Sequence, residues 1–133
     1  MARIEAIRDW IARHFTYEPG SSTATTTALD TFVERRGICR DYAHLLITLA
    51  RAGEIPARFA SVYAPGVKPP DFHAVAEVFL GGEWHLVDAT GMANEAEMAK
   101  IGIGRDSGDV AFLTAFGPLY LNRQSVAVEA LAD

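Results

Sequence analysis

The first fifteen residues carry apolar side chains at helical spacing. Ile4, Ile7, Ile11 and Phe15 lie three or four positions apart, with mostly polar residues between them. Such spacing places the apolar side chains on one face of a helix. It therefore predicts an amphipathic helix over residues 3–15.

A second helix is predicted after the small polar loop of residues 21–27. Thr27 and Asp30 have the three-residue separation of a capping box, with Asp in place of the usual Glu. This helix is expected to stop at Gly37. Three of its residues are expected to face inward: Leu29, Phe32 and Val33.

The longest apolar stripe follows, in a third helix that is predicted to begin near Ile38 or Cys39. Its apolar positions are Tyr42, Leu45, Leu46, Leu49 and Ala50. Gly53 is a suitable residue to end the helix. Because this stripe is long and continuous, we expect the helix to lie at the centre of the fold.

After Pro56 the apolar pattern changes to a period of two, which is typical of strands. The Gly81-Gly82 pair predicts a hairpin between two of these strands. Strands are predicted over residues 57–64, 73–80 and 83–88, then a short helix over 92–100, then strands over Val110–Leu113 and Tyr120–Val128. Helices followed by an antiparallel sheet indicate the α+β class, and we expect residues 1–133 to form a single domain.

The composition is that of an ordinary globular protein, with 50% hydrophobic and 22% charged residues. The net charge of −5 argues against nucleic acid or an anionic membrane surface as the main partner. No apolar run approaches the roughly 20 residues of a membrane span. The N-terminus also lacks the pattern of a signal peptide, so we expect a cytoplasmic protein.

Cys39 is the only cysteine of the chain, which excludes an intrachain disulfide and a multi-cysteine metal site. Its predicted position at a helix start exposes the thiol to free N–H groups and to the positive end of the helix dipole, which favours a thiolate. The alternative is an inert buried cysteine, which is the commoner role of a lone cysteine. A metal site built from Cys39, His44, His73 and Asp88 is disfavoured, because the first two point to different sides of one helix.

The predicted hairpin ties a histidine to an aspartate. If Gly81-Gly82 is a two-residue turn, position 75 opposes position 88, and His73 and Asp88 become diagonal neighbours on one face. A carboxylate in that position can hold an imidazole in the tautomer needed for proton transfer. A slip of one residue in the register would put the two side chains on opposite faces.

Several segments resemble bacterial transglutaminase-like proteins, in the order in which that family has them. They are Arg36–Leu45 (Arg-Gly-Ile-Cys-Arg-Asp-Tyr-Ala-His-Leu), Arg51–Arg58, His73–Val78, Trp84–Thr90 and Ile103–Ala111. The resemblance implies a papain-like fold with Cys39 as nucleophile, His73 as general base and acid, and Asp88 as the orienting carboxylate. It implies no cofactor or metal. One departure is Val75, because the family usually has Trp at this position.

The resemblance implies attack of Cys39 on a peptide or carboxamide carbonyl to give a thioester. Water would then complete hydrolysis, or a primary amine would complete acyl transfer, and the substrate would be a peptide or protein. One alternative is a non-catalytic module of the same fold that binds a peptide or protein. Another is a redox sensor that uses the same thiol. A second donor for the oxyanion is not identifiable from the sequence, although Tyr17 lies in the preceding loop.

Overall fold

The computed structural model describes residues 1–111, 116–118 and 120–131. Three helices come first along the chain, and an antiparallel sheet follows them. The helices are α1 (Ala2–His14), α2 (Ala28–Glu34) and α3 (Cys39–Ala52). The strands are β1 (Thr16–Tyr17), β2 (Arg36–Gly37), β3 (Ala57–Tyr63), β4 (His73–Leu80), β5 (Glu83–Val87) and β6 (Ala99–Gly104). The α+β class predicted from the sequence is confirmed.

Helix α3 lies at the centre of the core, as its long apolar stripe predicts. Tyr42, Leu46 and Ala50 are buried on it, and Gly53 forms its C-terminal cap. The facing residues of β4 include Ala74 and Ala76, whose small side chains let the helix lie close to the strand. On its other side α3 packs against α1, which contributes the buried Ile4 and Ile11.

The four longer strands form one antiparallel sheet in the order β5-β4-β3-β6. The hairpin between β4 and β5 has the predicted register, with Leu80 opposite Glu83 and Ala76 opposite Val87. Gly81 and Gly82 both have positive φ, of 62° and 82°, which a two-residue turn of this kind requires. The turn chemistry therefore fixes which residues of the two strands share a face.

A second, two-stranded sheet links the N-terminal segment to the start of α3. Strand β1 pairs with β2 in parallel, with Tyr17 opposite Gly37, and the amide of Glu18 donates to the carbonyl of Gly37 at 2.9 Å. Gly37 lies two residues before Cys39. The pairing therefore holds Tyr17 beside the first turn of α3.

The capping box that begins α2 is confirmed, but the predicted inward face of this helix is wrong. Thr27 accepts from the amide of Asp30, and the Asp30 carboxylate accepts from the amide of Thr27. Leu29 and Val33 are each 70% exposed, whereas Thr31 is buried. Two helical turns are too short for their period alone to fix the buried face.

The predictions for the C-terminal third are largely wrong. The helix predicted over 92–100 is a single 3₁₀ turn at Glu95–Glu97, and it is followed by β6 (Ala99–Gly104). Residues 120–128 have no regular secondary structure. Val110 and Ala111 lie in no strand, and the rest of that predicted strand, residues 112–113, falls outside the described residues. Strand β6 was missed because it alternates small residues with Ile101 and Ile103, both of which are about half exposed.

No helix among the residues that the structure describes is long and apolar enough to cross a bilayer.

Candidate active site

Cys39 is the first residue of α3 and is partly accessible. Ile38, which precedes it, has no side-chain acceptor, so it cannot cap the amides of the first turn. The buried carboxylate of Asp41 instead accepts from the amide of Ile38, at 2.9 Å, and thereby fixes the chain just ahead of Cys39. The thiol therefore lies at a helix end with uncapped amides.

His73, at the start of β4, and Asp88, just past the end of β5, form a buried pair. The His73 Nε2–H group donates to Asp88 Oδ2 at 2.8 Å, and each side chain is 1% exposed. The strand register brings the two residues together, as the Gly81-Gly82 turn predicts. With Nε2 engaged by the carboxylate, the other ring nitrogen, Nδ1, remains for Cys39.

Asp88 is held by the loop that follows it. The hydroxyl and the amide of Thr90 donate to Asp88 Oδ1 at 2.6 and 2.9 Å, and the amide of Ala93 donates to Oδ2 at 3.3 Å. Glu95 accepts from the backbone amide of Asp88 at 3.0 Å, and from Arg8 of α1 at 2.7 Å. The carboxylate therefore has a fixed orientation as well as a partner.

The pKa of His73 is raised to about 9. Burial acts in the opposite direction, because it disfavours the imidazolium, but hydrogen bonds to Asp88 and Cys39 and the charges of both groups outweigh it. The contribution of Cys39 also shows that the thiol lies within interaction distance of the imidazole. His73 is thus hydrogen-bonded to Asp88 and interacts electrostatically with Cys39.

The pKa of Asp88 is lowered. Burial alone would raise it, but the hydrogen bond to His73, the charge of that imidazole and the two hydrogen bonds from Thr90 all favour the carboxylate. The cluster therefore favours an ionised Asp88 beside a protonated His73.

Tyr17 lies close to Cys39, because the β1–β2 pairing places it opposite Gly37, two residues before the cysteine. Its ring lies 5.7 Å from the ring of Tyr42, which is one turn along α3. The pKa of Tyr17 is raised to about 12, mainly by burial and next by the charge of Cys39.

Comparison with known proteins identifies the family. The family model described as the transglutaminase-like superfamily matches residues 1–89, two thirds of the chain. This chain belongs to the transglutaminase-like superfamily. The matched segment contains Cys39, His73 and Asp88, and the predicted resemblance is confirmed.

Individual relatives of this transglutaminase-like chain agree with that assignment. An uncharacterized protein of Mycobacterium tuberculosis is 30% identical over 148 residues, covering 98% of this chain and 46% of the relative. A second, from Mycobacterium leprae, is 28% identical over 138 residues, covering 98% of this chain and 48% of the relative. The chain therefore spans about half the length of the curated relatives it matches.

Solved structures show the same fold. A Cytophaga hutchinsonii protein, provisionally named a cysteine protease, is 38% identical with a TM-score of 0.81, over 94% of this chain and 50% of that one. Legionella pneumophila LapG in its calcium-bound form is 14% identical with a TM-score of 0.61, over 77% of this chain and 64% of that one. The papain-like, transglutaminase-core fold predicted from the sequence is confirmed, and with it membership in a family of papain-like thiol enzymes.

The other histidines of this transglutaminase-like chain lie outside the cluster. His44 accepts from the amide of Ser107 at 3.1 Å, and burial lowers its pKa. His85 donates to the carbonyl of Leu80 at 3.1 Å, and His14 donates to the carbonyl of Trp10 at 2.8 Å. Within the described part of the chain, no group of three or more His, Cys, Asp and Glu side chains could hold a metal ion.

Glu77 and Val75, both on β4, have structural roles. Glu77 is buried and accepts from Arg58 at 2.7 Å and from Lys100 at 2.8 Å. Val75, which replaces the Trp usual in the transglutaminase-like family, is fully buried against Ala60 and Val62. None of these hydrogen bonds and packing contacts of Glu77 and Val75 involves Cys39.

An aromatic pair lies on the β4–β5 hairpin. The ring centroids of Phe79 and Trp84 are 5.2 Å apart across the two strands. Both side chains are more than one third exposed, and Arg58 lies over the Trp84 ring, so the pair lies at the surface and not in the core.

A surface cavity of about 460 Å³ lies away from this cluster. It is lined by the loop of residues 24–28, by the α3 residues His44 and Arg51, and by the segment 105–108. None of Cys39, His73 and Asp88 lines it. The Cys39 cluster, where ionisable groups converge, is therefore the candidate active site, and this cavity is not part of it.

Sequence reasoning missed two supports of Asp88. Thr90 lies two residues after the aspartate, a spacing at which a side chain often bonds a nearby backbone or side-chain group, and that signal could have been used. Glu95 lies seven residues away in an irregular loop, where no spacing rule indicates its contact with the Asp88 amide.

Proposed function

We propose that Cys39, His73 and Asp88 form a catalytic triad that breaks or exchanges amide bonds through a thioester. The observation that carries this proposal is the buried 2.8 Å hydrogen bond between His73 and Asp88, with the same imidazole in contact with a thiol at a helix start. A nucleophile, a base and a group that orients the base are the three parts that nucleophilic catalysis requires.

In the first half-reaction the Cys39 thiolate attacks the carbonyl carbon of a peptide or carboxamide. The raised pKa of His73, about 9, favours an imidazolium at neutral pH, which can protonate the leaving amine. Asp88 stabilises that imidazolium and keeps Nδ1 directed away from the carboxylate. The amine leaves, and the acyl group stays on sulfur as a thioester.

In the second half-reaction an acceptor attacks the thioester, and His73 takes the proton of that acceptor. Water gives hydrolysis, and a primary amine gives acyl transfer. Cys39 is partly accessible, so water can reach the thioester, and we propose hydrolysis as the main outcome. The triad itself serves both outcomes equally.

The proposed substrate is a peptide or protein. Its support is the Cytophaga hutchinsonii protein, provisionally named a cysteine protease and 38% identical to this chain. A second structure, a TGase with a TM-score of 0.55, is 20% identical and supports the fold alone. We further propose that residues 1–133 act as a single transglutaminase-like domain and that the domain works in the cytoplasm.

The test compares the wild type with Cys39→Ala on a panel of glutamine-containing peptides, with and without a primary amine. Mass spectrometry separates cleaved or deamidated products from amine conjugates. Products that appear with the wild type and vanish with Cys39→Ala are the expected result. Equal product from both proteins would contradict the triad, and peptide binding without turnover would favour the non-catalytic module.

A further inference from the structure

The cavity of about 460 Å³ beside α3 is lined by three segments of the chain, and each of them brings hydrogen-bond donors. Its volume lies within the range of small-molecule sites, roughly 300–1,000 Å³. The residues with donor groups in its lining are Thr25, Thr26, Thr27, His44, Arg51, Arg105 and Ser107. No residue of the proposed triad lines it, so a ligand bound here would lie apart from Cys39.

His44 offers this cavity an N–H group. Its Nε2 accepts from the backbone amide of Ser107 at 3.1 Å, so Nε2 has no hydrogen and the neutral ring carries its hydrogen on Nδ1. Burial lowers the pKa of His44, which agrees with a neutral ring. Within the described part of the chain, Nδ1 has no hydrogen-bond partner, so its hydrogen remains available to a ligand.

Two guanidinium groups give the cavity a positive charge. Arg51 is held in place, because its Nε and Nη2 donate to the carbonyl of Ala57 at 3.1 and 2.9 Å, and its Nη1 has no partner among the described residues. Arg105 is exposed and bonds the carboxylate of Asp109 at 3.1 Å through Nε, which leaves its other N–H groups accessible. The carboxylate in the described lining, that of Asp106, already accepts from the amide of Gly108 at 2.9 Å. The lining is therefore cationic in a protein whose net charge is −5.

The threonine loop is fixed before any ligand arrives. The hydroxyl of Thr26 accepts from the amide of Thr23 at 2.8 Å, and the hydroxyl of Thr27 accepts from the amide of Asp30 at 3.1 Å. Arg40 of α3 ties the same loop down by donating to the carbonyl of Thr23 at 2.6 Å. A hydroxyl that accepts a bond still has its own hydrogen to donate. Donors that are already in place bind a ligand at a lower cost in conformational entropy.

We propose that this cavity binds a small molecule through a phosphate group, held by Arg51, Arg105 and the threonine hydroxyls. Guanidinium groups suit phosphate because they donate paired, charge-assisted hydrogen bonds. The oxygens of a tetrahedral phosphate point in several directions and match donors from three segments, whereas the two oxygens of a carboxylate lie in one plane. The volume that remains can hold an organic group attached to the phosphate. This site does not depend on the proposed acyl-transfer function.

The test is an NMR titration that follows the imidazole signal of His44, assigned by its absence from His44→Gln. The probes are ribose 5-phosphate, inorganic phosphate, ribose and succinate, at constant ionic strength because salt screens exposed charges. We expect a saturable shift of the His44 signal with ribose 5-phosphate and no shift with ribose. Inorganic phosphate distinguishes a free phosphate ion from a phosphate ester, and saturation by either supports the proposal. No saturable shift with either, or succinate that binds as tightly, would overturn it.

Two variants locate the phosphate in the cavity. Arg105→Gln should weaken binding by about fivefold, a smaller loss than for a buried charged donor because Arg105 is exposed. Ser107→Ala removes a hydroxyl from the lining and should weaken binding by about threefold. Arg36→Gln is the matched control, since Arg36 is another exposed, ion-paired arginine but lies outside the cavity, and it should bind as the wild type does. Wild-type affinity in both Arg105→Gln and Ser107→Ala would contradict the assignment.

A failure of the proposed acyl-transfer function would leave this result unchanged. Cys39→Ala should bind ribose 5-phosphate with the affinity of the wild type, because Cys39 does not line the cavity. Loss of binding in Cys39→Ala would place the ligand at the triad and would overturn the separate site.

Discussion

At the scale of the residue, burial of the His73–Asp88 pair has a cost in free energy. Two charges removed from water lose several kcal/mol of hydration each, and a buried ion pair recovers this only with good geometry and further hydrogen bonds. Asp88 has those further bonds, from Thr90 and Ala93, and His73 has Cys39. An apolar pair of similar volume would often stabilise the fold at least as much, so stability alone does not account for a buried ion pair here.

The charge state of His73 should depend directly on Asp88. In Asp88→Asn the side chain can still hydrogen-bond but no longer carries a charge. We expect the pKa of His73 to fall from about 9 to its ordinary value of 6.5 or lower, because burial then acts with less opposition. Titration of the imidazole by NMR measures this, with the resonance assigned by its absence from His73→Gln.

A matched control is Asp9→Asn, which removes an exposed carboxylate on α1. It should leave the titration of His73 unchanged. A pKa near 9 that persists in Asp88→Asn would mean that the charge of Asp88 is not needed to hold the proton on the imidazole.

At the scale of the element, the start of α3 depends on Gly37. A Cβ at this position would lie 2.6 Å from Asp41 Cβ and 3.0 Å from Asp41 Oδ2. Asp41 is buried and holds the amide of Ile38, so it has little room to move. The glycine therefore lets β2 approach the first turn of the helix that carries Cys39.

Gly37→Ala should consequently lower the stability of the protein and displace Cys39 from its position. We expect a loss of roughly 1–3 kcal/mol in the free energy of unfolding, the usual cost of overpacking a buried position. We also expect slower alkylation of Cys39. Urea denaturation and iodoacetamide labelling measure the two effects. Gly53→Ala is the control at the other end of α3, where an added Cβ meets no atom closer than 3.5 Å and should be tolerated.

A second contact between elements anchors the loop of Asp88. Glu95 joins Arg8 of α1 to the backbone amide of Asp88, at 2.7 and 3.0 Å. Because small displacements of reacting groups are expensive, we expect Glu95→Ala to slow acylation of Cys39 by about tenfold. Glu95→Gln keeps an acceptor for the amide and should restore most of the rate.

The rate of p-nitrophenyl acetate acylation, followed by mass spectrometry, distinguishes these variants of Glu95. Glu97→Ala is the control on the same 3₁₀ turn, and it should behave as the wild type. If Glu95→Gln were as slow as Glu95→Ala, the charge of Glu95 would matter and not its contact with the amide.

The elements that the sequence predicts well are those with a clear local signal, such as a turn glycine, a helix-ending glycine or a long apolar stripe. The hairpin register follows from two glycines at positive φ, and the ends of α3 follow from a long stripe and Gly53. The buried face of α2 and the strand β6 were not predictable in this way. Short or small-residue segments take their conformation from what they pack against, and the pattern along the chain does not contain that information.

At the scale of the whole molecule, the site depends on contacts between distant parts of the chain. Hairpin geometry predicts that His73 and Asp88 meet, but no spacing rule predicts that α3 brings Cys39 to them. The family resemblance supplied that link at the sequence level. The packing of α3 on Ala74 and Ala76 supplies it physically. The pairing of β1 with β2 similarly brings Tyr17 to Cys39 across more than twenty residues of chain.

Because folding shifts the pKa values of His73 and Asp88, the free energy of unfolding of the whole protein should depend on pH. The pKa of His73 is raised from 6.5 to about 9, so the folded state binds this proton more tightly than the unfolded state does. The contribution of His73 to the free energy of unfolding is therefore complete below about pH 6.5 and is lost as the pH rises to about 9. The lowered pKa of Asp88 acts in the other direction: its contribution is present above its ordinary value of 3.8 and is lost as the pH falls below that. Both contributions are present together between about pH 4 and 6.5.

We expect the free energy of unfolding of the wild type, relative to His73→Gln, to fall by up to roughly 3 kcal/mol between pH 6.5 and 9, at about 1.4 kcal/mol for each unit of raised pKa. Urea denaturation of both proteins at several pH values measures this difference, and it cancels the titration of other groups. His85→Gln, which removes a histidine bonded to a backbone carbonyl away from the site, should track the wild type across the range. A difference between wild type and His73→Gln that stays constant from pH 6.5 to 9 would mean that His73 is neutral in the folded protein over this range. His73 would then have to take the proton of the Cys39 thiol before it could protonate the leaving amine.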